Sequence, residues 1–291
     1  MGRIGIAALS ALLLGANLSP AQAAEHYTGP IIDTHAHLRT NDGNGLSASH
    51  PIGTAELRAL DQAAGVQQSA LIVIARQGDM AATRALNDAA IAAAKADPQH
   101  FYVIASVHPA DGDAALAELD RLAKLGVKVI KLHPNTQRFD VADPAVAKVT
   151  AKCGELGMAV LFDSFNPLDA NELGKLLMLS LRQPKTNFIF AHMGFTQFRD
   201  VLTLSTLRKL GMGGNVWLDI SAIGTAYAGS PVQPELVWTL RQHGVDHVLM
   251  GSDWPVDTPA TAIAAVRALG LTADEERLVL HDNAAKLLGL N

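Results

Sequence analysis

Cysteine is almost missing from this chain. Its 291 residues include one, Cys153, so no internal disulfide can form. Cys153 stands in TAKCGELG, a segment of helical pattern, where a small buried apolar role is expected rather than that of a nucleophile. Charge is also sparse: 18% of residues are charged and the net charge is -5. No basic run is present, which excludes nucleic acid and acidic membrane surfaces as expected partners. Low-complexity tracts are absent, and no stretch rich in proline, glycine and serine divides the chain, so one domain is expected. The Gly-rich phosphate loop of a doubly wound sheet is missing after the first apolar run.

What is there begins with an export signal. Arg3 precedes an apolar stretch from Ile4 to Leu14, followed by Ser19, Pro20 and the small-x-small pattern Ala21-Gln22-Ala23. This layout predicts a secretory signal peptide over residues 1–23 and an exported, periplasmic or secreted domain over 24–291. The apolar core is short for a bilayer span, so no stable membrane anchor is expected. No cysteine lies near the cleavage site to carry a lipid.

Eight apolar runs then recur at wide, fairly regular intervals. They are IIDTHAH at 31–37, ALIVIA at 70–75, FYVIASVHP at 101–109, VKVIKLHP at 127–134, MAVLFDS at 158–164, FIFAHMG at 188–194, VWLDIS at 216–221 and HVLMGSD at 247–253. Most are continuous rather than alternating, as in strands buried on both faces of a parallel sheet. Between them lie alanine- and leucine-rich segments of helical spacing. Two of these close on Gly126 and Gly157, a usual helix stop. Strand and helix alternating eight times predict a (β/α)8 barrel of the TIM type, whose usual length is roughly 250 residues. The longest irregular piece is RTNDGNGLSASHPIGT after the first run.

In such a barrel the active site lies at the C-terminal strand ends. Read in order, those ends carry His35 and His37, His108, Lys131 and His133, Asp163, His192, Asp219 and Ser221, and Asp253. Residues two apart on a strand point to one face, so His35 and His37 project together and can grip one cation. Imidazole nitrogen and carboxylate oxygen suit a divalent metal, zinc first. An H-x-H pair alone is often just two polar residues at a strand end. With His192 and Asp253 at other strand ends, convergence on a metal becomes the better account. His26, His50, His100, His243, His247 and His281 fall outside the strand ends and are read as structural or solvated.

DTHAH, KLHP, FAHMG, GSDWP and the terminal DNAAKLLGL, in that order, resemble the amidohydrolase superfamily. The likeness is to its amidohydrolase-related branch of metal-dependent barrel hydrolases and decarboxylases, and it runs from about Pro30 to the C-terminus. The resemblance implies metal ligation by His35, His37 and Asp253, with Asp253 also the proton acceptor for an attacking water. It implies that His192 binds metal or polarises the substrate. Strand 5 departs from the pattern, because Asp163 stands where many members have a histidine ligand. The third protein ligand is therefore open between Asp163, His133 and Lys131. Carboxylated, Lys131 would bridge two metals as in binuclear members. Unmodified, the favoured state, it would pair with Asp163 or bind a substrate carboxylate. His108 is a further candidate for the pocket lining, against a structural role in hydrogen bonding.

The expected activity is metal-dependent hydrolysis of a small ester, lactone or amide, with one or two divalent ions, most simply Zn2+. Non-oxidative decarboxylation and a non-catalytic ligand-binding barrel are the alternatives. The expected partner is a small-molecule substrate; homo-oligomer formation is left open.

Overall fold

The structure, a computed structural model, describes residues 25–40 and 49–290. The signal segment predicted over residues 1–23 lies outside them, as does part of the long loop after the first run. Eight parallel strands form one sheet in sequential order: β1 (Ile31–Asp33), β2 (Val66–Ile72), β3 (Phe101–Ser106), β4 (Val129–Leu132), β5 (Ala159–Asp163), β6 (Phe188–Ala191), β7 (Val216–Asp219) and β8 (Val248–Leu249). The intervening helices are α1 (Ala55–Ala64), α2 (Met80–Ala96), α3 (Asp113–Lys124), α4 (Pro134–Gln137), α5 (Pro144–Glu155), α6 (Glu172–Arg182), α7 (Val201–Lys209), α8 (Ile223–Tyr227), α9 (Gln233–His243) and α10 (Pro259–Ala268). The chain ends in α11 (Ala273–Arg277), a π turn over Leu278–Asp282, and α12 (Asn283–Leu288). The predicted TIM-type (β/α)8 barrel is thus the observed fold. None of the described helices is long and apolar enough to cross a membrane.

The barrel closes without a regular β8–β1 ladder. Thr34 N donates to Met250 O at 3.0 Å and His37 N to Trp254 O at 2.9 Å. Ala36 and Trp254 form a parallel bridge. The buried Asp33 carboxylate stitches the same seam, its Oδ1 accepting from His35 N at 3.0 Å and Ser252 N at 2.9 Å. Two boundaries differ from the sequence reading. β1 stops at Asp33, so His35 and His37 lie just beyond it, held by bridges. β2 begins at Val66, through Gln67 and Gln68, because neighbour pairing rather than apolarity decides where a ladder starts.

Alternation along the strands sorts the core into two layers. Ile32, Ile72, Ile104, Val129, Leu161, Ile189, Trp217 and Leu249 pack together inside the barrel. Ile31, Ile130, Leu132, Val160, Phe162, Phe188, Phe190, Val216 and Leu218 face outward and pack with helix residues such as Leu119, Leu122 and Val146. Burying each such aliphatic or aromatic side chain is worth about 1.5–3 kcal/mol. The helices end where predicted at Gly126 and Gly157, whose φ of 88° and 69° are left-handed. Cys153 is fully buried in the outer layer, and burial pushes its thiol up to about 12, which removes it as a nucleophile.

Candidate active site

The inward parity of each strand decides what its last residue offers the barrel mouth. Lys131 follows Val129, Asp163 follows Leu161 and Asp219 follows Trp217, each two residues on and therefore on the same inner face. His192 has the wrong parity, since it comes directly after the inward Ala191. It reaches the mouth because the backbone turns left-handed there, at φ 59° for His192 and 50° for Met193. Asp253 also has a left-handed φ, 55°, two residues past the close approach of Gly251 to His35. Such non-glycine positions cost about 1–3 kcal/mol each and cluster at functional sites.

His35, His37 and Asp253 converge. Asp253 Oδ1 lies 3.2 Å from His35 Nε2 and 3.3 Å from His37 Nε2. One ligand atom from each residue falls within 4.8 Å of the others, a spacing that admits a single cation. His192 Nε2 stands 3.9 Å from Asp253 Oδ2 and 3.3 Å from Asp163 Oδ2. Imidazole, imidazole and carboxylate are a suitable donor set for zinc, manganese or a similar divalent ion. Lys131, also buried, places Nζ 3.2 Å from His35 Nε2, so its ammonium already sits against one lone pair that a metal would use. Among the described residues no ion pair joins Lys131 to Asp163, contrary to one expectation for it.

Asp163 lies between two imidazoles. Its Oδ2 is 3.2 Å from His133 Nε2 as well as 3.3 Å from His192 Nε2, while Oδ1 accepts from Phe165 N at 3.2 Å. His133 Nδ1 accepts from Thr136 N at 3.4 Å and caps α4, which leaves the proton on Nε2, pointing at Asp163. In this arrangement His133 presents a donor rather than a metal-binding lone pair. His108 is placed elsewhere. Its Nε2 donates to Gln137 O at 2.7 Å and its Nδ1 accepts from Ala110 N at 3.1 Å, so both ring nitrogens hold loops and neither lines the site.

Charges in the cluster are strongly biased. Burial disfavours a charged His192, but its hydrogen bond to Asp163 and the Asp163 and Asp253 charges prevail, raising its pKa to about 9. Burial, with Lys131 adding to it, lowers His133 to about 4 and holds His35 well below the ordinary histidine range. Burial would raise Asp253, yet His35, His37 and His192 outweigh it and keep this carboxyl well below its usual range; His133 and His192 do the same for Asp163. The site thus keeps two carboxylates ionised, with His192 biased towards its charged form and His35 and His133 towards their neutral ones.

The enclosed cavity here has a volume of about 50 Å³ and is lined by His35, His37, Lys131, His133, Asp163 and Asp253, with Ile74 and Thr136. That volume suits a cation with a few waters or one reacting group. A larger groove of about 400 Å³ lies at the other end of the barrel, near Phe101, Tyr102 and Leu290, but its lining includes no metal-ligating side chain. Phe165, two residues past Asp163, has its ring 5.2 Å from that of Phe195, which lies 6.1 Å from Tyr227 between centroids.

Sequence reasoning placed Asp219 and Ser221 at a strand end without a role. Both are buried, and Asp219 Oδ2 lies 2.6 Å from His35 Nδ1. Their inward parity was the signal available. Gly251 gave no signal at all, because its importance lies in contacts across the seam.

The amidohydrolase family model matches residues 32–290. No curated protein matches the chain in sequence. Among solved structures, 5-carboxyvanillate decarboxylase from Novosphingobium aromaticivorans, in complex with manganese and a nitrobenzoic acid, superposes with a TM-score of 0.72 at 17% identity, covering 93% of this chain and 100% of the other. The 2,6-dihydroxybenzoate decarboxylase from Rhizobium gives 0.68 at 16% identity, covering 90% and 99%. A candidate 2-pyrone-4,6-dicarboxylic acid hydrolase from Pseudomonas putida gives 0.67 at 20% identity, covering 90% and 98%. At these identities the likeness is one of fold.

Proposed function

The chain belongs to the amidohydrolase family, a family of metal-dependent enzymes, and from that premise we propose that it hydrolyses a small ester, lactone or amide at the barrel mouth. The observation that carries this reading is the approach of His35, His37 and Asp253 to within one coordination sphere. In it, His35, His37 and Asp253 would hold a divalent ion, with His192 Nε2 next in reach; zinc is the first choice, and manganese in a structural relative keeps the identity open.

When bound, such an ion brings the pKa of its water towards neutrality, to about 7 in favourable zinc sites. Asp253, ionised through the pH range of enzyme activity, takes the water's proton as oxygen adds to the substrate carbonyl. His192 donates from Nε2 to the developing oxyanion. Lys131, whose Nζ stands 3.2 Å from His35 Nε2, orients an anionic substrate group, while His133 holds Asp163 in place through Nε2. Collapse of the tetrahedral adduct expels alcohol or amine, which takes back the proton held by Asp253. Export through the segment at residues 1–23 belongs to the same proposal and would place the reaction outside the cytoplasm.

A second reading is non-oxidative decarboxylation of an aromatic or unsaturated acid. Two decarboxylases among the structural relatives favour it. Screening lactones, esters and aromatic acids with parallel detection of acid and carbon dioxide separates the two. Chelation abolishes turnover and zinc or manganese restores it in either case. Full activity of a His35→Ala, His37→Ala double variant would overturn both.

A further inference from the structure

The end of β7 contains a hydrogen-bond arrangement that the proposed hydrolysis does not use. Asp219 Oδ2 is 2.6 Å from His35 Nδ1 and accepts from Ser221 Oγ at 3.0 Å, while its Oδ1 accepts from Ser221 N at 2.8 Å. Ser221 Oγ is also 3.1 Å from His192 Nδ1, and the Ser221 carbonyl oxygen is 3.1 Å from that same nitrogen. One residue thereby links a carboxylate to imidazoles from two different strand ends.

The protons can be placed by counting. A carbonyl oxygen only accepts, so His192 Nδ1 must carry a proton to approach it. The Ser221 hydroxyl has one proton, which goes to the Asp219 carboxylate, and its lone pairs then face His192 Nδ1. Asp219 accepts from Ser221 N on Oδ1 and from Ser221 Oγ on Oδ2, so with the carboxylate as acceptor throughout the 2.6 Å contact is donated by His35 Nδ1. His35 then turns Nε2 to the cation site, 3.2 Å from Asp253 Oδ1 and 3.2 Å from Lys131 Nζ. His192 turns Nε2 to the mouth as well, where it donates to Asp163 Oδ2 at 3.3 Å.

We propose that Asp219 and Ser221 are positioning residues: Asp219 fixes the tautomer of His35, so that its Nε2 faces the cation site, and the Ser221 carbonyl holds the His192 ring with Nε2 turned to the barrel mouth. Were His35 to move its proton to Nε2, its bare Nδ1 would face the Asp219 carboxylate. Relief would require the Ser221 hydroxyl, 3.2 Å away, to turn from Asp219 to His35, leaving the carboxylate with a donor fewer. Carboxylate partners of this kind set ring orientation and ligand basicity in metal sites generally.

The use of the arrangement rests on the metal-site reading, but the proton positions do not. Long-range 1H–15N spectra of histidine-labelled full-length protein without added metal test them directly, with His35→Gln and His192→Asn assigning the signals. Both rings are expected to be protonated at Nδ1. A His35 ring protonated only at Nε2 would overturn the proposal, with no variant needed. Zinc titration of the wild type and Asp219→Asn tests the purpose. The amide NH2 can donate to His35 Nδ1 and reverse its tautomer, so zinc affinity is expected to fall about 10–100-fold. Ser221→Ala retains the carbonyl acceptor for His192 and is expected to lower affinity less than Asp219→Asn. An unchanged affinity in Asp219→Asn, with zinc binding intact in wild type, refutes the relay. Wild-type protein that binds no zinc or manganese instead refutes the metal reading and leaves the tautomer result to judge the relay.

Discussion

Replacing Gly251 by alanine should damage the site without replacing a single proposed ligand. Its φ lies outside the left-handed region, so backbone strain is not the issue. The added Cβ would stand 2.4 Å from His35 Cβ, 3.1 Å from His35 N and 3.1 Å from Asp219 Oδ1. Carbon atoms rest at roughly 3.5–4.0 Å, so His35 must retreat by more than about 1 Å. Neither neighbour yields easily: one is backbone and Cβ at the barrel seam, the other a buried carboxylate bound to Ser221 and His35. Overpacking of this kind costs about 1–3 kcal/mol. At about 2–4 °C per kcal/mol for a domain of this size, the unfolding midpoint should fall by about 2–12 °C. A displacement near 1 Å in a reacting constellation costs on the order of 100-fold in rate. Calorimetry, together with zinc titration and turnover, measures both effects. Gly174→Ala is the control: it lies on the exposed face of α6 with nothing within 4 Å of its added Cβ, and should stabilise by about 0.4–1 kcal/mol. A Gly251→Ala protein with wild-type midpoint and zinc affinity would refute the steric argument and with it the tight docking of β8 against His35.

Three more outcomes follow from the same geometry. Zinc or manganese at about 100 times its Kd should stabilise the protein by about 2.7 kcal/mol, read as a rise in midpoint of about 5–11 °C, and His37→Ala should abolish that rise. Asp253→Asn removes the proton acceptor and should lower turnover by at least about 100–10,000-fold on any substrate found, measured as initial rate at saturating metal. His243 lies far from the site, and burial with the nearby Arg208 charge lowers its pKa to about 3. The unfolded chain binds that proton near pH 6.5, so the contribution to stability is complete above 6.5 and is lost as pH falls towards 3. Urea titrations across that range should show His243→Leu flattening the slope by up to about 1.4 kcal/mol per pH unit.

Much of the architecture was legible because strands buried on both faces leave continuous apolar runs, as in FIFA at β6 and AVLFD at β5. Their polar last residues marked the site. What escaped depends on backbone path rather than residue type. His192 enters the mouth through left-handed dihedrals that no periodicity announces. His108 ends an apolar run as the other candidates do, yet Gln137 O claims its Nε2 and Ala110 N its Nδ1. Asp219 is visible as an inward carboxylate, but its partner, the far nitrogen of His35, is known only once β7 and β1 are seen around the same barrel.

The seam between β8 and β1 has a consequence for how activity is acquired. Two of the three proposed cation-binding groups come from just past the opening strand and the third from just past the closing one, so almost the whole polypeptide must be made before all three meet. Seven strands' worth of chain would hold two of the three. Fastening the ring and creating the reactive centre are one event, and a bound ion would act as the clasp.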